Sequence, residues 1–185
     1  VFDGANKMRL EERILPGYLR HKRWFRSKSR KIRRILIGEN IPVTAGDREF
    51  QLLQLEISYI EGESEIYLLP VGYAPDRESG EAEPEDRSEI LAWIRTNKGT
   101  GRLYDALQSP AFRGALLSLI AQGRNINGNQ GYLSGIPGKQ ATEKLRSLED
   151  PPESRLLRAE QSNTSLLYED SYILKFYRCV EEGIN

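Results

Sequence analysis

The chain has 185 residues, 38% of them hydrophobic and 9% aromatic, and its 27 basic and 27 acidic side chains leave a formal net charge of zero. That is apolar mass for one domain, or for one domain and part of another. The balanced charge argues against a generally basic nucleic-acid coat and against an acidic disordered tail, while leaving local patches open. One cysteine, Cys179, excludes an intrachain disulfide and fits a reducing compartment.

No apolar run approaches the roughly 18–20 residues that span a bilayer. The opening Val1-Phe2-Asp3-Gly4 has neither an initiating Met nor the basic-then-apolar pattern of a secretory signal. The expectation is a cytoplasmic piece of a longer chain, with no membrane partner.

In chain order, Asn6 to Leu15 reads as a short amphipathic helix that Pro16-Gly17 stops. Arg20 to Arg34 holds nine Lys/Arg residues around Trp24-Phe25. The pattern predicts a second short helix that docks both aromatics and leaves the cations in water. From Ile32 to Ala74 the period becomes two: Ile35 and Ile37, then Leu53, Leu55, Ile57 and Tyr59, then Tyr67, Leu69, Val71 and Tyr73. With Glu61-Gly62-Glu63 as a hairpin loop, these make an antiparallel meander with one face buried. Asp76 to Glu89 concentrates seven acids with Gly and Pro and reads as a mobile excursion.

Leu103 to Gln122 reads as helical. Ser109 is placed to cap, Pro110 fits the first helical position, and Phe112, Ala115, Leu116, Leu119 and Ile120 form a core stripe. Gly123 to Gly138 reads as a loop or linker, and Gln140 to Leu148 as a short polar helix ended by Asp150-Pro151-Pro152. A composition break there marks a domain boundary. Beyond it, Leu156 to Glu160, Leu166 to Tyr168 and Tyr172 to Tyr177 are three strand-like runs, the last two joined by Glu169-Asp170. The fold class is α+β: an antiparallel sheet packed with helices, then a short β-meander.

The chemistry concentrates in that meander. The small polar run Gln161-Ser162-Asn163-Thr164-Ser165 reads as a loop whose backbone N–H groups and hydroxyls suit phosphate oxygens. Lys175 follows ten residues beyond Ser165. Alternation turns it away from Leu174 and Phe176, so if those two pack inward, Lys175 points into a cleft beneath the loop, as phosphotransferases hold ATP phosphates. By spacing alone a solvated edge-strand lysine and ordinary turn residues remain open, since no glycine-rich phosphate loop is present.

The run Ala159 to Ser165, with Tyr168, Ile173-Leu174-Lys175 and Glu182-Gly183-Ile184-Asn185, resembles the start of the kinase lobe in bacterial maltokinases, which also occur fused to trehalose synthases. Upstream, Leu15-Pro16 through Arg23-Trp24-Phe25 and Lys28, Tyr67-Leu68-Leu69-Pro70, Gly101 through Leu107, and Pro110-Ala111-Phe112 resemble that family's N-terminal cap. One departure is Arg26-Ser27, where the family usually has glycine after Trp-Phe. The resemblance divides the chain into a cap domain (1–125), a linker (126–153) and the incomplete start of a kinase lobe (154–185). It implies an ATP- and Mg²⁺-dependent kinase that phosphorylates maltose at the anomeric hydroxyl. Gln161 to Ser165 would be its phosphate-side loop, Lys175 its phosphate-binding lysine, and the cap a brace on the small lobe.

No catalytic residue is assigned within the chain. Its only histidine, His21, precedes Lys22-Arg23 rather than an aspartate, and no Asp-Phe-Gly-like metal motif occurs. The catalytic carboxylate, the Mg²⁺ ligands and the carboxylate partner of Lys175 are expected beyond Asn185, so isolated residues 1–185 should be inactive and hold no tightly bound cofactor. With no His/Cys cluster, no structural metal is expected. Two alternatives remain in view. The cap could serve as a docking module for a fused or partner trehalose synthase, or Arg20 to Arg34 could bind nucleic acid by phosphate neutralisation and stacking. The zero net charge favours a solvated basic face with two core aromatics over the latter. Cys179 reads as a small buried hydrophobe and His21 as a surface or capping residue.

Overall fold

Alternating apolar side chains build the centre of the molecule. In the computed structural model, which describes residues 4–76, 87–96, 99–138, 152–157 and 162–181, β1 (Ile32–Ala45), β2 (Arg48–Tyr59) and β3 (Glu65–Pro75) form the expected antiparallel meander. The β2–β3 turn passes through Gly62 at φ 85°, where a side chain would be strained and a Cβ would meet Arg30 Nη2 at 2.7 Å. Two further strands, β4 (Ile90–Thr96) and β5 (Gly99–Asp105), extend the sheet in the order β1-β2-β3-β5-β4. The sequence reading did not anticipate β4, and it assigned Leu103 to Asp105 to a helix. Those residues instead pair with Val71 to Tyr73 of β3: β3 offers a free edge, and pairing satisfies their backbone groups.

Both faces of this sheet are buried, not one. On one face Leu53, Leu55, Ile57, Tyr67, Leu69 and Val71 pack under Leu15, Leu19, Trp24 and Phe25. On the other, Val43, Phe50, Leu52 and Tyr104 pack under Phe112 and Leu116 together with Leu166, Tyr168 and Phe176. Tyr73 is the exception to the alternation and remains 38% exposed.

The helix at the N-terminus does not stop at Pro16. It runs as α1 (Gly4–Arg9), a π-helical turn over Leu10–Ile14 and α2 (Leu15–His21). The π turn shifts the hydrogen-bond ladder by one residue immediately before the proline, which enters α2 at its first positions, where an N–H is not required. Past His21 the chain turns rather than forming a second helix. Trp24 and Phe25 are buried as expected, but so is one of the cations, Lys22.

After β5, Ala106–Gln108 form a 3₁₀ turn, and α3 (Pro110–Gln122) follows with Gly123 at its left-handed end. Ser109 occupies the N-cap position without a side-chain capping bond. Residues 123–138, read as a loop or linker, contain a hairpin of β6 (Asn125–Asn127) and β7 (Tyr132–Ser134). The polar helix expected at Gln140 to Leu148 and most of the acidic excursion lie outside the described residues.

The second sheet is the anticipated meander: β8 (Ser154–Leu157), β9 (Asn163–Tyr168) and β10 (Tyr172–Tyr177), in the order β10-β9-β8. Its second turn uses Glu169 and Asp170 at φ 45° and 53°, left-handed values that aspartate tolerates and that glutamate adopts at a cost. The chain then returns to the first sheet as β11 (Cys179–Val180), paired with Tyr67 and Ile66 of β3. No helix among the described residues is long and apolar enough to cross a membrane.

Candidate functional site

The meander has two unlike faces. Leu156, Leu166, Tyr168, Tyr172, Leu174 and Phe176 point into the core shared with α3. Period-two alternation therefore turns Ile173, Lys175 and Tyr177 to the opposite side, where Ile173 and Tyr177 are 68% and 48% exposed. Lys175 is exposed on that side too, with its Nζ 5.8 Å from the centre of the Tyr177 ring.

Of the predicted phosphate-side residues, Gln161 lies outside the described residues and Ser162 is a bend at the entrance to β9. Asn163, Thr164 and Ser165 are not loop residues. They are the first three residues of β9, paired in register with Tyr177, Phe176 and Lys175 of β10. The run lengthens the strand because β10 offers a complete antiparallel ladder, which outweighs the turn preference of Asn and Ser. Ser165 is thus directly across from Lys175, and it is buried while Lys175 is exposed.

Thr164 points the other way, into the contact with the first sheet. Its Oγ1 accepts a hydrogen bond of 3.1 Å from Nε of Arg178, and Nη2 of Arg178 donates to Oδ2 of Asp105 at 2.6 Å. The Arg178 and Asp105 side chains are 3% and 0% exposed, and the guanidinium is stacked 4.6 Å from the Trp24 ring centre. Asp105 Oδ1 also accepts from the Leu107 N–H at 3.1 Å. Nearby, Lys22 donates to the Ser88 carbonyl at 2.6 Å, pairs with Glu89 at 2.8 Å and lies over the Tyr18 ring. Burial, aided by the negative charge of Asp105, raises the Glu89 carboxyl above its usual range despite the Lys22 partner. The same two causes raise the Tyr18 phenol.

Arg113 makes a second tie. From the first turn of α3 it donates to the Leu107 and Gln108 carbonyls at 2.7 and 3.0 Å, and to Oγ and O of Ser154 on β8 at 2.8 and 2.7 Å. Tyr168 OH donates to the Arg113 carbonyl at 2.9 Å. Neither Arg113 nor Arg178 figured in the sequence reading. The one available signal for Arg178 was alternation, which puts it on the inward face with Leu174 and Phe176.

The first sheet and the segment that leads into it carry a polar network around Glu65, whose carboxylate accepts from Ser27 Oγ, Arg30 Nη1, Tyr59 OH and Tyr67 OH at 2.6 to 3.0 Å. Burial pushes this carboxyl up, but the hydroxyl donors and Arg30 outweigh it and hold it below its ordinary range. Cys179 is half-buried, with a thiol raised by burial. The exposed His21 ring places Nδ1 2.8 Å from the Gly17 carbonyl at the end of α2. Trp24 and Phe25, at 7% and 1% exposure, are core residues whose faces are not open to stacking.

An antiparallel sheet under a short N-terminal helix is thus tied by buried arginines to a three-stranded meander with one lysine-bearing exposed face. Residues 18–108 match the maltokinase N-terminal cap domain. That segment is such a domain.

Proposed function

We propose that this chain supplies the cap and the nucleotide-side strands of an ATP-dependent sugar kinase, which converts maltose and ATP to maltose 1-phosphate and ADP. The observation that carries the reading is Lys175, on the open face of a meander whose other face is fixed to a maltokinase-type cap. A lysine in this position offers a point charge to phosphate oxygens. Ile173 and Tyr177 beside it give an apolar and aromatic surface of the kind that accepts a base. In this reading Ser162 and Asn163, where the chain enters β9, would supply polar groups to phosphate, while Thr164 bonds Arg178.

In this reading MgATP is the co-substrate, and the carboxylate that positions the sugar hydroxyl belongs to a further lobe together with the metal ligands. That lobe is the first partner, and a fused or associated trehalose synthase, in cytoplasmic α-glucan metabolism, is the second.

The test is calorimetric titration of MgATP into the full-length protein, with a maltose-dependent ADP-release assay beside it. Wild-type protein should bind and turn over. Lys175→Ala should lose most nucleotide affinity without losing stability, because an exposed lysine contributes little to the fold. Absence of nucleotide binding, or a Lys175→Ala protein indistinguishable from wild type, overturns the reading.

A further inference from the structure

β9 is pinned to the cap at both ends. At its end, Tyr168 OH bonds the Arg113 carbonyl at 2.9 Å. Near its start, Thr164 receives Arg178 Nε at 3.1 Å. Arg178 is the bend between β10 and β11, and its other attachments belong to the cap or to β10. Nη2 bonds Asp105 at 2.6 Å, its carbonyl accepts from the Leu68 N–H at 2.7 Å, and its guanidinium stacks against Trp24 and Phe176. The next two residues are β11, paired onto β3. Arg178 is therefore immobilised by the first sheet before it reaches Thr164.

We propose that Arg178 is a positioning residue that fixes β9 to the cap through Thr164, and through β9 sets where Lys175 stands. Three physical arguments support this. The meander's apolar face packs into the core shared with α3, and apolar packing is non-directional, so directional polar bonds to the first sheet fix where β9 lies on that core. The guanidinium is planar and its donors point in set directions; here Nη2 is held by Asp105 and Nε by Thr164. Thr164 adjoins Ser165, the register partner of Lys175, so a shift of β9 moves the lysine with it. The cap thereby contributes a preorganised lysine without touching nucleotide. What Lys175 binds rests on the kinase reading; the mechanical link does not.

The experiment uses the full-length protein with two variants of one residue. Thr164→Val keeps the shape and removes the acceptor, whereas Thr164→Ser keeps the hydroxyl. Amide hydrogen exchange over residues 163–168 and 172–177 reads the link directly. Thr164→Val should accelerate exchange there by roughly tenfold, the scale of one lost hydrogen bond to a charged group. It should also raise the KM for MgATP severalfold at nearly unchanged kcat, and Thr164→Ser should behave as wild type in both. Wild-type exchange across β9 and β10 in Thr164→Val overturns the link, whatever the kinetics show. A valine variant with faster exchange and an unchanged KM overturns its role in placing Lys175. Lys175→Ala tests the kinase reading separately: it should leave exchange unaltered and lose nucleotide. If it keeps nucleotide, that reading fails while the exchange result still judges the link.

Discussion

Replacing Glu39 by glutamine should detach the β6–β7 hairpin from the sheet. Glu39 lies on β1 next to an irregularity in the β1–β2 register and is buried. Its Oε1 accepts from the N–H groups of Asn40 and Asn129 at 2.8 and 2.7 Å, and its Oε2 from those of Gln130 and Gly131 at 2.8 and 2.6 Å. Burial raises this carboxyl, but the four amide donors prevail and hold it below its ordinary value. Glutamine preserves the shape and puts an NH₂ where two amides require an acceptor. An amide left without a partner costs about 1–3 kcal/mol, so two cost about 2–6 kcal/mol locally.

The hairpin can undock before the rest unfolds, which limits the global loss to its docking free energy. The expected loss in urea denaturation is about 2–4 kcal/mol, with a slightly smaller m-value because the undocked hairpin is already exposed before unfolding. The amides of Asn129, Gln130 and Gly131 should exchange at least about 30-fold faster, the equivalent of 2 kcal/mol. A loss below about 0.5 kcal/mol together with wild-type exchange at these three amides would refute the reasoning.

Acid should act through the same group. The folded-state values of Glu39 and Glu65 lie below the ordinary 4.5, so their stabilisation is complete above that value and is lost as pH falls through the depressed ones. Urea midpoints measured from about pH 6 down to pH 3 should fall in that acid window, with a shallower fall in Glu39→Gln. A Cβ at Gly135 would clash with the Leu119 carbonyl oxygen and lie 3.1 Å from Ile120 Cα, both backbone of α3. Gly135→Ala should therefore cost about 1–3 kcal/mol, seen as a lower Tm; an unchanged Tm would show that the hairpin can move away freely. Asp105→Ala leaves Arg178 charged, buried and unpaired and should cost about 3–5 kcal/mol. The double variant Asp105→Leu/Arg178→Met should recover much of that loss in the same denaturation assay, because it removes both charges together.

Local chemistry in the chain was enough for several elements. Leu53, Leu55 and Ile57 against Tyr67, Leu69 and Val71 specify two strands and a shared face, because side chains two apart must point the same way. Gly62 and Asp170 mark the two turns, because glycine, and to a lesser degree aspartate, accepts φ above zero. Phe112, Ala115, Leu116 and Leu119 likewise mark the buried side of α3. The outward aim of Lys175 followed from the same rule, once Leu174 and Phe176 were taken to be core.

Tertiary structure alone decided the rest. Leu103 to Asp105 have no local commitment to strand over helix; the open edge of β3 settles it. Phe50 and Leu52 are buried because α3 and a second sheet cover the face that a lone meander would leave to water. Cys179 and Val180 form a strand only because Tyr67 and Ile66 present an unpaired edge to them. Glu39 and Arg178 look like surface charges in a sequence, and each is buried by partners 90 or more and 73 residues away respectively. Periodicity and turn chemistry act between neighbours and can be read along the chain. Edge pairing and charge burial depend on what folding brings alongside, and in this protein they join the cap to the strand opposite Lys175.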